Sequence, residues 1–547
     1  MANPLRGPAG VVLVVVALSG ACIWATAQTP VETTDKYQWL EDVNGERSLA
    51  WVKAENARTD KVLKSDPRYA QFEASALKIL ESPTRLPEPD LNGQDVYNFW
   101  QDAEHKQGIL RRTSVTDYLT ADPHWQTVLD YDALSKQDEQ KWVAHGRGCL
   151  YPGNELCMVA LSAGGEDAAT MREFNLRSGQ FVGNSFVLPR SKQSADWLDK
   201  DTLVIARDWG PGTMTKSGYP FVVKVWKRGQ PLEQAKEVFR GVETDMRAGA
   251  RTLHDGDGHQ ATILIRKRNF FENEFSLLTP DGAQRIVLPL KSEIGALLKG
   301  QLIVELDDDW TPQASTTKVP KGSVVSLDLE AVRRDPRNLR PTVIFSPTAV
   351  EFEQETRATK NHLLVTTLAN VQGRVYSYTL GANGAWTREK LSVPENTTVH
   401  IVGTNWADDR FFLEMDGYLT PSSLLMGDAA ANTLQPAKAL PPQFDSSRDM
   451  VEQCEAVSKD GTKVPYFVVR PKNIKHDGTN STVMTAYGGF QIATTPDYDP
   501  VVGKLWLERG GVFVEANIRG GGEFGPAWHE AGLKTHRQHI YDDFAAV

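Results

Sequence analysis

Between residues 86 and 438 the apolar residues recur in short runs, with no helical period. Glu173-Phe-Asn-Leu, Lys224-Val-Trp-Lys, Glu274-Phe-Ser-Leu, Ser323-Val-Val-Ser-Leu, Val375-Tyr-Ser-Tyr and Ser423-Leu-Leu-Met are strand-like, most with Gly, Asp or Asn close by. Aligning Phe174, Val225, Phe275, Val325, Tyr376 and Leu424 gives a period of about 50 residues, the range of propeller blades. A less regular copy around Arg112-Thr-Ser-Val115 brings the number of repeats to about seven. One blade cannot bury both faces of its small sheet, so blades must stack around a channel. Two β-sandwiches are the competing architecture, and they give no reason for an even spacing. The pattern therefore predicts a β-propeller of about seven blades over 86–440.

The flanks follow other rules. In 28–85, Leu40, Val43, Leu49 and Val52 recur at roughly helical spacing with charges between them, which predicts an N-terminal helical segment. Pro441-Pro442 marks the way out of the repeats, and 441–547 reads as the start of a mixed α/β domain. There Asp460-Gly461 is a strong hairpin dipeptide. The runs 464–469, Thr482–Ala486 and Val512–Ala516 are expected as strands, the last two buried. A helix is expected to begin around Ile540.

At the other end, Arg6 precedes the apolar run 11–18, and Ala25-Thr-Ala27 follows. This is the layout of a secretory signal over 1–27, with an apolar run too short to span a bilayer. The expectation is an exported chain, periplasmic or secreted. A lipoprotein at Cys22 is the alternative, disfavoured by Ser19 where a lipobox wants an aliphatic residue.

Composition narrows the class. The 547 residues are 40% hydrophobic and 24% charged, with a net charge of −10. That is ordinary globular protein, large enough for several domains and with no electrostatic footprint for nucleic acid. Cys149 and Cys157 lie close enough to bridge a hairpin in an oxidising compartment, leaving Cys454 as an odd thiol expected to be buried. Only His145 is near them, so no metal is expected, and no other cofactor.

The densest chemistry lies in 484–544: Tyr487-Gly488-Gly489-Phe490, then Arg519-Gly520-Gly521-Gly522-Glu523-Phe524-Gly525, Trp528-His529 and Asp542-Asp543-Phe544. Small residues at a strand end let the backbone turn tightly and approach a ligand. Gly520-x-Gly522-x-x-Gly525 formally matches a dinucleotide fingerprint, with Asp542 and Asp543 at about the right distance. Those aspartates fall in a helix-like stretch, however, and a nucleotide leaves Tyr487-Gly-Gly-Phe490 unexplained.

Together these blocks resemble the prolyl oligopeptidase family of serine peptidases, as does Tyr37-Gln-Trp-Leu-Glu-Asp42 with Trp51-Val-Lys-Ala-Glu-Asn56. Gln491 departs from the Asn common there. The resemblance implies an α/β-hydrolase domain after the propeller, with the N-terminal segment packing on it. It implies hydrolysis of short peptides after proline by a monomeric enzyme with no stable membrane span. Tyr487 would donate to the oxyanion, and Phe490 would wall an apolar proline pocket. Arg519 is expected to organise its loop. The family's nucleophile sits downstream in Gly-x-Ser-x-Gly, followed by acid and histidine. That motif occurs nowhere in the sequence. The chain is thus expected to be C-terminally incomplete and inactive as given, with His529, His536 and His539 outside any triad. The alternatives are a related oligopeptidase cleaving at basic residues or acylated N-termini, and a propeller that only binds.

Overall fold

The computed structural model describes residues 35–42, 44–313 and 315–547. The expected signal segment and Val43 lie outside them. The chain divides into two compact units after Glu73. In the first unit a 3-10 helix, Gln38–Glu41, precedes an α-helix, Glu46–Leu63. The two are joined by an edge-to-face Trp39–Trp51 contact, by Arg47 over the Trp39 ring, and by a Ser48 hydroxyl bond to the Trp39 carbonyl.

In the second unit, seven antiparallel sheets follow one another from Asp90 to Ala439, each a meander in chain order. We number them blades 1 to 7. Six have four strands. In blade 2 the outer position is divided between Gln180–Phe181 and Val187–Ser191, both pairing with Ala169–Asn175. The aligned residues Phe174, Val225, Phe275, Val325, Tyr376 and Leu424 all fall on the third strand of blades 2 to 7. Arg112 falls on the third strand of blade 1. The period survives in sequence because each third strand packs at an equivalent place.

Second strands lie between neighbouring blades and are buried on both faces, as in Thr202–Ala206 and Leu363–Ala369. They therefore read as continuous apolar runs. One apolar cluster fills each seam between successive blades. Blades 4 and 5 share Ile263, Phe275, Leu302 and Val304. Blades 7 and 1 share Phe412, Leu424, Val96 and Tyr118, with the Tyr118 and Phe412 rings 5.3 Å apart. Among the described residues no strand is exchanged across this last seam. Polar bonds complete it: Asn405 pairs with both backbone groups of Gly93 (3.1 and 2.8 Å), and Trp406 Nε1 donates to Asn92 Oδ1 (2.8 Å).

Cys149 and Cys157 face each other across the hairpin joining the first two strands of blade 2 and form a disulfide. In unreduced protein, peptide mapping is expected to recover residues 149 and 157 cross-linked. Two free thiols there would overturn this. Cys454 is partly exposed, contrary to the expected burial, because it sits on the hairpin strand Asp449–Val457 that borders the α/β sheet.

That sheet has the order Asp449–Val457, Lys463–Pro471, Val512–Ala516, Thr482–Ala486. The first three strands run antiparallel and the last pair is parallel. Between the parallel strands lies the helix Pro500–Leu505, capped by the Asp499 carboxylate on the Val501 and Val502 N–H groups (2.8 and 2.9 Å). Strand Thr482–Ala486 is not buried as its apolar sequence suggested. It is the edge of the sheet, and Val483 and Met484 are exposed because it has one neighbouring strand among the described residues. The last helix begins at Gln538.

Candidate active site

Strand Thr482–Ala486 ends directly at Tyr487, whose ring is half exposed and whose hydroxyl bonds to no other described residue. The chain then reverses through Gly488, Phe490 and Gln491, all at positive φ (63°, 53° and 59°). Two consecutive L-residues with long side chains in the left-handed region are a strained arrangement, and the surroundings must hold it.

They do so through a second backbone layer. The Gly520 carbonyl lies 2.7 Å from His529 Nδ1. The Gln491 N–H lies 3.4 Å from the Gly520 oxygen and 3.0 Å from the same ring nitrogen. A Cβ on Gly520 would stand 2.4 Å from the Gly488 carbonyl oxygen, and one on Gly522 would stand 2.2 Å from that of Gln491. The glycines are thus required by the close approach of the chain's own backbone, which fills the space a dinucleotide pyrophosphate would need. The nucleotide reading fails on this geometry.

The aspartates of the terminal motif have a different partner. Arg519 is buried, and its Nε and Nη2 donate to the two oxygens of buried Asp543 (2.9 and 2.6 Å). Its backbone N–H donates to Asp543 as well (3.0 Å), and its Nη1 to Asp460 in the hairpin turn (2.6 Å). The guanidinium holds the Asp460 carboxyl well below the usual carboxylate range. Arg519 therefore ties the hairpin turn, the glycine loop and the last helix together.

Glu523, beside them, is 1% exposed, and burial pushes its carboxyl up to about 7. Its Oε1 accepts from the Thr494 N–H and hydroxyl (2.9 and 3.0 Å). An unfolded glutamate ionises near 4.5, so between that pH and about 7 the folded protein carries the extra proton. Stability from this group is therefore full below about pH 4.5 and lost as pH rises to about 7. Glu523→Gln is expected to flatten that part of the profile. The thermal midpoint of the parent should fall relative to the variant between about pH 5 and about pH 8, and parallel profiles would refute the assignment.

The propeller supplies the facing wall. The Phe270 and Phe490 rings meet edge to face at 5.5 Å, both exposed, and Phe271 lies 5.2 Å from the His529 ring. Gln491 Nε2 donates to Asp307 Oδ1 (3.0 Å). Glu530 receives Lys291 (2.7 Å) and Lys321 from blade 5. Burial raises the carboxyls of Glu293, Glu305, Asp307 and Glu353, that of Glu305 to about 7. Tyr487 and Phe490 thus share one turn, whereas Cys149 and Cys157 belong to blade 2, away from it. Phe270 and Asp307 carry no signal in the sequence that ties them to this turn, and Glu523, though part of the glycine motif, has no role legible there. Asp307 lies 184 residues from its partner Gln491, and no local pattern links positions that far apart. Of the histidines, His529 is a buried brace, and His539 Nδ1 lies 3.0 Å from the Ala531 carbonyl.

A propeller set against an α/β sheet, with a tight Tyr-Gly-Gly-Phe turn between them, defines a class. The family model for the prolyl oligopeptidase N-terminal β-propeller domain matches residues 25–439, and that for the prolyl oligopeptidase family matches 499–547. The chain is 43% identical over 523 residues to the uncharacterized peptidase y4nA of Sinorhizobium fredii, covering 94% of this chain and 72% of that protein. It is 30% identical over 528 residues to the uncharacterized peptidase RP174 of Rickettsia prowazekii, covering 93% and 72%. Among solved structures, a post-proline cleaving enzyme from Rickettsia typhi superposes with a TM-score of 0.84 at 29% identity, covering 93% of this chain and 75% of that one. The chain belongs to the prolyl oligopeptidase family, a family of peptidases.

Proposed function

We propose that this protein serves as a serine-type oligopeptidase that hydrolyses short peptides after proline through an acyl-enzyme. The observation that carries the reading is the turn at 487–491. It presents a half-exposed phenol at a strand end and, three residues on, an aromatic face completed by Phe270 of the propeller. A phenol hydroxyl without an internal partner is free to donate to an oxyanion, and an aromatic wall suits a compact proline ring. The similarity to a post-proline cleaving enzyme supports the specificity. In this reading the 547 residues supply the propeller, one oxyanion donor and one pocket wall. They contain no Gly-x-Ser-x-Gly and are inactive by themselves. The remaining expectations, an exported monomer acting on peptides, belong to the same proposal. Among the described residues no helix is long and apolar enough to cross a membrane.

A second specificity, for basic residues, is favoured by one observation: the Asp307 carboxylate beside Gln491, with Glu293, Glu305 and Glu353 perturbing or perturbed nearby. Ratios of kcat/KM for prolyl and arginyl peptides separate the two.

The test of the proposal uses a form of the protein that carries the elbow serine. There Tyr487→Phe is expected to lower kcat by about ten- to a thousandfold with little change in KM. An unchanged kcat in a folded variant removes Tyr487 from the oxyanion role.

A further inference from the structure

The hydrolase sheet covers one face of the propeller, and the opposite face carries the loops that join the first and second strand of each blade. In blade 2 that loop is the segment 150–155, closed at its base by the Cys149–Cys157 disulfide. Its Tyr151 does not stay with its own blade. The ring stacks on His254 at 4.7 Å, and the hydroxyl donates to the Asp255 carbonyl (2.7 Å); both partners stand at the end of the first strand of blade 4. The same ring meets Trp406, in the corresponding loop of blade 7, edge on at 5.5 Å. Asn154 of the same segment accepts from Asn92 of blade 1 (3.4 Å), and Asn92 accepts from Trp406 (2.8 Å).

In a ring of seven, blades 4 and 7 stand three places apart, nearly opposite each other. A single side chain can touch both only by lying over the channel axis. The loops that start second strands in the other blades hold two residues in blades 1, 3 and 5, four in blade 6 and five in blades 4 and 7, against the six of blade 2. The blade 2 loop is longer and reaches across the opening.

We propose that the disulfide-closed hairpin tip of blade 2 is a plug that seals the far mouth of the propeller channel. Tyr151 is the stopper, seated between His254 and Trp406. The disulfide shortens the tether, so the tip cannot swing clear by fraying of its two strands. The consequence for substrate, which rests on the peptidase reading, is that peptides reach Tyr487 from the hydrolase side and not through the propeller. The plug itself stands without that reading.

The test reads access to the channel and not catalysis. Arg251, on the first strand of blade 4, interacts with Asp196 of blade 3 and Glu293 of blade 5 across the channel wall. A thiol placed there by Arg251→Cys reports what enters, with peptide mapping to separate it from the native cysteines. Labelling by a bulky polyethylene-glycol maleimide is measured in the full 547-residue chain, with and without Tyr151→Ala. It is measured again with the pair Cys149→Ser/Cys157→Ser. Removing the stopper or its tether is expected to speed labelling at position 251 by about tenfold or more, as local opening replaces a closed state. Tyr151→Ala leaves the disulfide in place, so the proposal stays testable if the serine pair fails to fold. An unchanged labelling rate in folded Tyr151→Ala would overturn it.

Discussion

A polypeptide of these 547 residues is expected to show no turnover of a prolyl peptide that a serine-directed inhibitor abolishes. Acyl transfer needs a nucleophile, a base that takes its proton, an acid that orients the base, and donors for the oxyanion. The structure offers a free phenol at Tyr487 and an aromatic wall at Phe490 and Phe270. His529 cannot serve as the base, because its ring is 4% exposed and its Nε2 is enclosed in the interior, away from any substrate. Donors and binding alone leave about a thousandfold over water, against the millionfold or more that enzymes usually reach, a difference of at least roughly three orders of magnitude. The measurement is hydrolysis of a chromogenic prolyl peptide by the purified chain, with a serine-directed inhibitor as control. Inhibitor-sensitive turnover would mean that a nucleophile lies in the propeller, and would falsify the present assignment of the site to the turn at 487–491.

Removing Arg519 is expected to have the largest effect on stability. Arg519→Ala strips both charge-assisted bonds from Asp543, a carboxylate with no solvent access, and releases the hairpin turn at Asp460. Breaking a buried pair from one side costs roughly 3–5 kcal/mol, since the remaining charge stays desolvated. Arg519→Lys is expected to recover little, because an ammonium cannot make the two parallel bonds. Denaturant unfolding followed by a probe in the α/β sheet would show the loss. A midpoint shift within error of zero would mean that the pair contributes nothing beyond what water supplies. Double substitution with Asp543→Asn should be milder than Arg519→Ala alone, which separates an orphaned charge from lost packing.

The propeller was legible because its signal repeats: Phe174, Val225, Phe275, Val325, Tyr376 and Leu424 each occupy a third strand, so a weak local pattern is reinforced six times. The Asp460-Gly461 turn was legible because its geometry is set by two residues, with Gly461 at φ 88°. The burial of Thr482–Ala486 was misread for the opposite reason. An apolar run states what a strand tolerates, and only its neighbours decide whether it is covered.

What the sequence by itself determined is therefore whatever short-range chemistry dictates. It includes the blade period, the hairpin turn, the strand end at Tyr487 and the glycines that demand close backbone approach. The tertiary structure alone decided what those glycines approach, that Arg519 belongs to Asp543 and Asp460, and that Phe270 and Asp307 face Phe490 and Gln491 from the propeller. It also decided that Tyr151 lies between blades 4 and 7. These pairings join residues up to about 255 positions apart, here Tyr151 and Trp406, and form only once the ring has closed. Contact between such distant segments is fixed by how whole blades stack, a cooperative packing outcome that no window of neighbouring residues contains.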